Sequence, residues 1–168
     1  DFNNSFVAII HRNMHLLNPD YNIACIAKRF PEFSLYATER TVAINSLLVS
    51  LNHSMAESED SVKSTDLYLK YRDGVMGGLY HNKASVKKLM LSLTFGKRPM
   101  KIFNETPTRS GSIPSFVQKY SDQVCIIANL FREYRPDIYA KCLEWEKPLP
   151  AFSCMAYQVA SWQRQCVD

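Results

Sequence analysis

Six cations stand together in a stretch without acids. Between Asp73 and Glu105 the chain carries Lys83, Lys87, Lys88, Lys97, Arg98 and Lys101 and no Asp or Glu. This stretch holds six positive charges in a chain whose net charge is +4, so the other residues together are slightly acidic. At about 100° per residue, a helix over 83–95 puts Val86, Leu89, Met90 and Leu93 on one side and Lys83, Lys87, Leu91 and Thr94 on the other. One face packs, and the other offers ammonium groups one turn apart. Phosphate binding suits that face, because Lys is a mobile point charge and Gly96, ahead of Lys97 and Arg98, lets an anion approach the backbone. A solvated basic helix face is the alternative on charge alone. Other candidates are plainer. His11 and His15 lack the Glu of an H-E-x-x-H zinc site and read as surface or capping residues. The glycine-rich Arg72 to Gly78 run has no Gly-Lys-Ser/Thr ending and reads as a turn between helices. Five cysteines (Cys25, Cys125, Cys142, Cys154, Cys166) without a C-x-x-C read as reduced, buried thiols.

The opening string Asp1-Phe2-Asn3-Asn4-Ser5-Phe6-Val7-Ala8-Ile9-Ile10 resembles motif A of template-dependent DNA polymerases. Its wording is that of family B (Asp-Phe-Asn-x-x-Tyr), with Phe6 for the Tyr. Lys83-x3-Lys87-x7-Phe95-Gly96 is similar to the fingers helix of family A, Arg-x3-Lys-x7-Tyr-Gly. The family B register would instead pair Lys88 with Phe95-Gly96, and both registers stay open. Two more strings agree in order. Phe33 to Val42 looks like a helix of divergent, family-A-like replication proteins of large DNA viruses and phages, and Ala156-Tyr157-Gln158-Val159-Ala160-Ser161 resembles the helix ahead of motif C.

This resemblance implies a helix-rich α+β palm/fingers-like segment that takes part in nucleotidyl transfer on a DNA primer-template with a deoxynucleotide triphosphate. In it Asp1 holds Mg²⁺ and Phe6 is a steric gate against a ribose 2′-OH. Lys83 and Lys87 hold the triphosphate, while Leu91, Phe95 and Gly96 shape the substrate and templating site. Gln158 touches the primer duplex, and Lys88, Lys97, Arg98 and Lys101 contact nucleic acid. The chain departs from the pattern in having Lys83 for Arg, Phe95 for Tyr, Leu91 for an aromatic, and no motif C before it stops at Asp168. Two-metal phosphoryl transfer takes carboxylates from two places. The resemblance therefore implies completion by remaining polymerase segments or another chain, and a sequence that begins at Asp1 reads as a part or a processed product.

The elements that must hold these residues are mostly helices. Phe116, Tyr120, Val124, Ile127, Phe131 and Tyr134 recur at steps of three and four between Pro114 and Pro136, as do Phe152, Met155, Val159, Trp162 and Cys166 beyond Pro150. Ile44, Leu47, Leu48 and Leu51 predict a third helix, from near Ser34 to about His53. The basic helix is the fourth, stopped by Gly96 and Pro99. Shorter helices are expected over 6–17, 24–29, 61–72 and 137–145. Only Met100 to Phe103 and the first few residues look extended. The polar runs at 54–64 and 104–112 read as exposed connections.

With 168 residues, 46% of them hydrophobic and 21% charged, the chain is too apolar for a disordered protein and fits one mainly α domain over 1–168. No run approaches the ~18 apolar residues of a membrane span. The rival to the polymerase reading is a non-enzymatic α-helical interaction protein whose basic helix, 83–101, binds an acidic partner. The first implies an intracellular protein and the second suits a secreted one. No assembled triad or metal site favours a small-molecule enzyme.

Overall fold

Apolar side chains three and four apart give each segment one side to bury, and helices follow one another with short joints. The computed structural model describes residues 2–48, 50–51, 83–105 and 113–167, which leaves the expected helix over 61–72, the glycine-rich turn and the 54–64 connection outside the described residues. We number the helices α1 (Phe2–Leu17), α2 (Ile23–Arg29), α3 (Pro31–Thr38), α4 (40–48), α5 (Lys83–Thr94), α6 (Pro99–Glu105), α7 (Ser115–Tyr134), α8 (Pro136–Glu144) and α9 (Pro150–Val167). The molecule is mainly α, and among the described residues there is no strand.

Two expectations of extended chain are corrected. The first residues are already helical from Phe2, and 100–103 lies inside α6. At the second place Pro99 supplies the preset φ of a first helical residue, and the Ile102 amide donates to the Arg98 carbonyl at 3.1 Å. Burial of Ile102 then leaves Met100 exposed, which is a helix's division of faces.

The third expected helix is in fact two. Glu39 (φ −130°, ψ 57°) closes α3 by donating to the Leu35 carbonyl, and its own carbonyl accepts from the Ala43 amide. Phe30 (φ −129°, ψ 61°) joins α2 to α3 in the same way, and Arg135 (φ −129°, ψ 68°) joins α7 to α8. At each joint one residue ends one helix and begins the next, its amide donating back into the first and its carbonyl accepting from the second.

α7 is the central element. It packs against α9, α3, α5, α8, α1 and α6. Its inward residues are Val117, Tyr120, Ser121, Val124, Ile127, Ala128 and Phe131. Tyr120 is fully buried between Phe33, Tyr36 and Phe116, and Phe131 and Tyr134 close on Trp162 of α9. α7 also caps α3, whose N-cap residue Phe30 has no side-chain acceptor to give. Gln123 Oε1 accepts the Phe33 amide at 3.0 Å while its Nε2 donates to Glu32 Oε2 at 2.6 Å. Burying this stripe is what fixes the position of α5.

Candidate nucleic-acid interface

α5 divides as its spacing dictates. Val86, Leu89, Met90 and Leu93 are each no more than 3% exposed, whereas Lys83, Lys87 and Lys88 all face solvent. Leu91 is half-buried, and Thr94, expected on the open side, is 2% exposed. The correction has a cause: Thr94 Oγ1 donates to the Met90 carbonyl at 2.7 Å and meets the Tyr120 hydroxyl at 2.7 Å. With the threonine proton spent on Met90, the Tyr120 O–H must be the donor to Thr94. Burial drives the Tyr120 hydroxyl far above its ordinary range of ionisation, which keeps that donor neutral. The last turn of the basic helix is thereby pinned to α7.

The turn after α5 is closed by its own backbone. The Phe95 amide donates to Leu91, Gly96 to Leu93 and Lys97 to Ser92, all at 3.0–3.1 Å, with Gly96 at φ +99°. This is a helix stop in which the left-handed residue is glycine. The space in front of Gly96 is not open to an anion, because a Cβ there would lie 2.9 Å from Leu149 Cδ1 and from the Phe152 ring. The expected backbone approach of a phosphate at Gly96 thus gives way to a packing contact between the turn and α9.

The cations beyond Gly96 differ from those on α5. Arg98 is exposed but engaged: its guanidinium pairs with Asp122 Oδ1 at 3.2 Å, donates to Ser121 Oγ at 3.2 Å and meets the Cys125 sulfur. Ser121 and Asp122 are neighbours on α7 and Cys125 lies one turn further on, so Arg98 ties the turn to the central helix. Despite the guanidinium, burial leaves the Cys125 thiol harder to ionise than usual. Lys97 is half-buried, and Lys101 is exposed on α6.

Of the other expected site residues, Phe6 and Phe95 come together, their ring centroids 4.9 Å apart. This contact joins the start of α1 to the end of the basic helix. Phe6 is also fully buried, so its ring has no surface for a sugar in this arrangement. Gln158 is 4% exposed and accepts from Arg135 Nη1 at 2.5 Å. The same guanidinium holds both oxygens of Asp137 at 3.0 and 2.8 Å, and the pairing lowers the Asp137 carboxyl to about 2. Gln158 therefore serves the α7–α8 joint and does not face outward to a primer. The sequence carried a signal for both residues: Phe6, Ile10 and Met14 fall at steps of four, and Gln158 lies between Met155, Val159 and Trp162 on α9's buried stripe.

Asp1, the residue expected to hold Mg²⁺, lies outside the described residues. Among the described residues no group of three or more His, Cys, Asp or Glu is placed to hold a metal ion. His11 packs beside Phe33 with ring centroids 6.4 Å apart, and burial makes it harder to protonate. That contact makes it a packing residue of α1. No helix among the described residues is long and apolar enough to cross a membrane.

What spacing did not reveal is a groove between Phe95, at the end of α5, and the start of α9. It measures about 220 Å³ and is lined by Phe95, Pro148, Leu149, Phe152, Ser153 and Ala156. Tyr157, one turn along α9 from Ser153 of the groove, meets Trp145 edge to face at 5.8 Å, and both residues are exposed. Set against known proteins, the chain matches no family model, no curated protein and no solved structure.

Proposed function

We propose that this chain is a nucleic-acid- and nucleotide-binding portion of a template-dependent DNA polymerase, with α5 as its phosphate-facing helix. The observation that carries the reading is the Phe6–Phe95 contact. It brings the end of the basic helix against the opening string, the two segments that the polymerase resemblance requires at one nucleotide. On that helix Lys83 and Lys87 face solvent one turn apart, a spacing that lets two ammonium groups share one polyphosphate. Lys88 and Lys101 add charge for a nucleic-acid backbone. Mg²⁺ would supply Lewis-acid stabilisation of the transferring phosphoryl group from Asp1 and carboxylates of other segments. What α5 itself does is hold and orient the phosphates.

A second reading has its own observation in favour. Phe6, Gln158 and Gly96 are all used inside the fold, as they would be in a helical protein that offers only its basic face to an acidic partner. One titration separates the two. Filter binding of primer-template DNA across several salt concentrations should show log affinity falling linearly with log salt. Lys83→Ala/Lys87→Ala should weaken binding and reduce the slope by roughly two counterions. DNA binding that is absent, or indifferent to both salt and the lysines, overturns the polymerase reading and leaves the acidic protein partner.

A further inference from the structure

The groove between Phe95 and the start of α9 is small, aromatic and placed at the end of the most basic segment. Its volume of about 220 Å³ is below the ~300–1,000 Å³ of pockets that enclose whole cofactors or drug-sized ligands. It has room for one planar ring system. Phe95 and Phe152 are among its lining residues, so a flat ring would find aromatic neighbours there. Tyr157, one turn along α9 from the lining residue Ser153, is 43% exposed, and its ring meets that of Trp145, itself 53% exposed. Trp162 differs: it is 6% exposed and enclosed by Phe131 and Tyr134. Core packing accounts for Trp162 but not for the open faces of Trp145 and Tyr157.

Charge says which side a ligand's anionic part must take. Lys97 is two residues from Phe95 of the groove wall and follows Gly96, which is packed against Leu149 and Phe152, and Lys147 precedes Pro148 of the same wall. The acids of this region, Glu144 and Glu146, stand on either side of Trp145. An anionic backbone is therefore favoured toward Lys97 and α5, with uncharged rings toward Trp145 and Tyr157. A basic track with exposed aromatics beside it is the arrangement that binds single strands, since every base has a π face and the phosphates supply the charge. We infer that the groove and the Trp145–Tyr157 pair take unpaired bases of a single-stranded nucleic acid whose phosphates run past Lys97 toward the basic helix. The inference rests on the nucleic-acid-binding part of the reading above and not on nucleotidyl transfer.

The test compares two 20-nucleotide probes on the whole chain, oligothymidylate and an abasic oligomer with the same phosphates. Tryptophan emission is followed, with Trp145→Phe to assign the signal between the exposed and the buried indole. Oligothymidylate should bind about tenfold more tightly than the abasic oligomer, since one stacked base contributes roughly that factor, and should quench Trp145. Trp145→Ala and Tyr157→Ala, both at exposed positions and checked for helicity by circular dichroism, should bring the thymidylate affinity down to the abasic level. Their salt dependence should stay as it was. Lys83→Ala/Lys87→Ala should weaken both probes alike. Equal affinity for the two probes overturns the inference while leaving phosphate binding intact, and makes an apolar protein segment the better occupant. A base preference that survives both aromatic variants also overturns it. Failure of both probes to bind sinks the inference together with the nucleic-acid reading.

Discussion

α5 ends in Phe95-Gly96-Lys97 and α8 ends in Trp145-Glu146-Lys147, and the hydrogen bonds at the two ends are the same. Each aromatic amide donates four residues back, each middle residue three back and each lysine five back. Both middle residues have positive φ, +99° at Gly96 and 53° at Glu146. The difference lies in what faces them. Gly96 is pressed against Leu149 and Phe152, the residues that follow the second stop, whereas Glu146 is exposed. One stop is thus packed against the sequel of the other, and only the packed one demands glycine. For function the lesson is a restraint, because an aromatic-Gly pair at the end of a basic helix is explained by the fold before any template is invoked.

The comparison is broken most sharply at Gly96. Alanine there takes on a positive φ that costs an L-residue roughly 1–2 kcal/mol, and an overlap that costs roughly 1–3 kcal/mol. Urea melts should show Gly96→Ala destabilised by about 3 kcal/mol, summed from those two costs. A loss below about 0.5 kcal/mol, within the scatter of surface substitutions, would mean that the fold does not require the glycine. Phe95-Gly96 would then regain its weight as a site signature.

The pinned end has a second anchor that the α8 end lacks, the buried Thr94–Tyr120 bond. Its two halves are not equivalent. Thr94→Val leaves the Tyr120 hydroxyl without an acceptor in a fully buried place, which costs about 2 kcal/mol. Tyr120→Phe leaves Thr94 still donating to Met90 and costs about 1 kcal/mol, the net worth of one bond. Equal losses in the two variants would show that the proton lies the other way round.

Much of this was legible in the sequence, and the parts that were not share a cause. The stripes at Val86–Leu93 and Tyr120–Phe131 are buried as their spacing requires, because period is a property of the chain alone. The break at Glu39 was not visible. The joints at Phe30 and Arg135 are each followed by a proline, which disfavours helix in the residue before it. Glu39 is followed by Arg40 and adopts the same dihedrals without that signal. Met100–Phe103 misread for a related reason, since four residues, three of them apolar, are too few to tell a period of two from 3.6. For the site, spacing found which cations face outward on α5. It could not find that Arg98 is taken by Asp122, or that Phe152 fills the space before Gly96. Both are contacts between residues more than twenty apart, which no local pattern records.

The smallest effect is expected at the other stop, and its sign is opposite. Glu146 at φ 53° sits in the small left-handed region that L-residues tolerate at a cost of roughly 1–2 kcal/mol. Glycine relieves that cost but loses more backbone freedom on folding, by roughly 0.5–1 kcal/mol. Glu146 is exposed, so its replacement gives up no burial. Glu146→Gly should therefore stabilise the protein by about 0.5 kcal/mol, the remainder of those two estimates, seen as a small rise in the urea midpoint at unchanged slope. The substitution also removes a negative charge beside Trp145, so an affinity for single-stranded DNA should rise slightly at low salt and not at high salt. A destabilisation of 1 kcal/mol or more, the size of a lost hydrogen bond, would mean that the Glu146 side chain holds this stop, and the two ends would then be alike in depending on the residue at their centre.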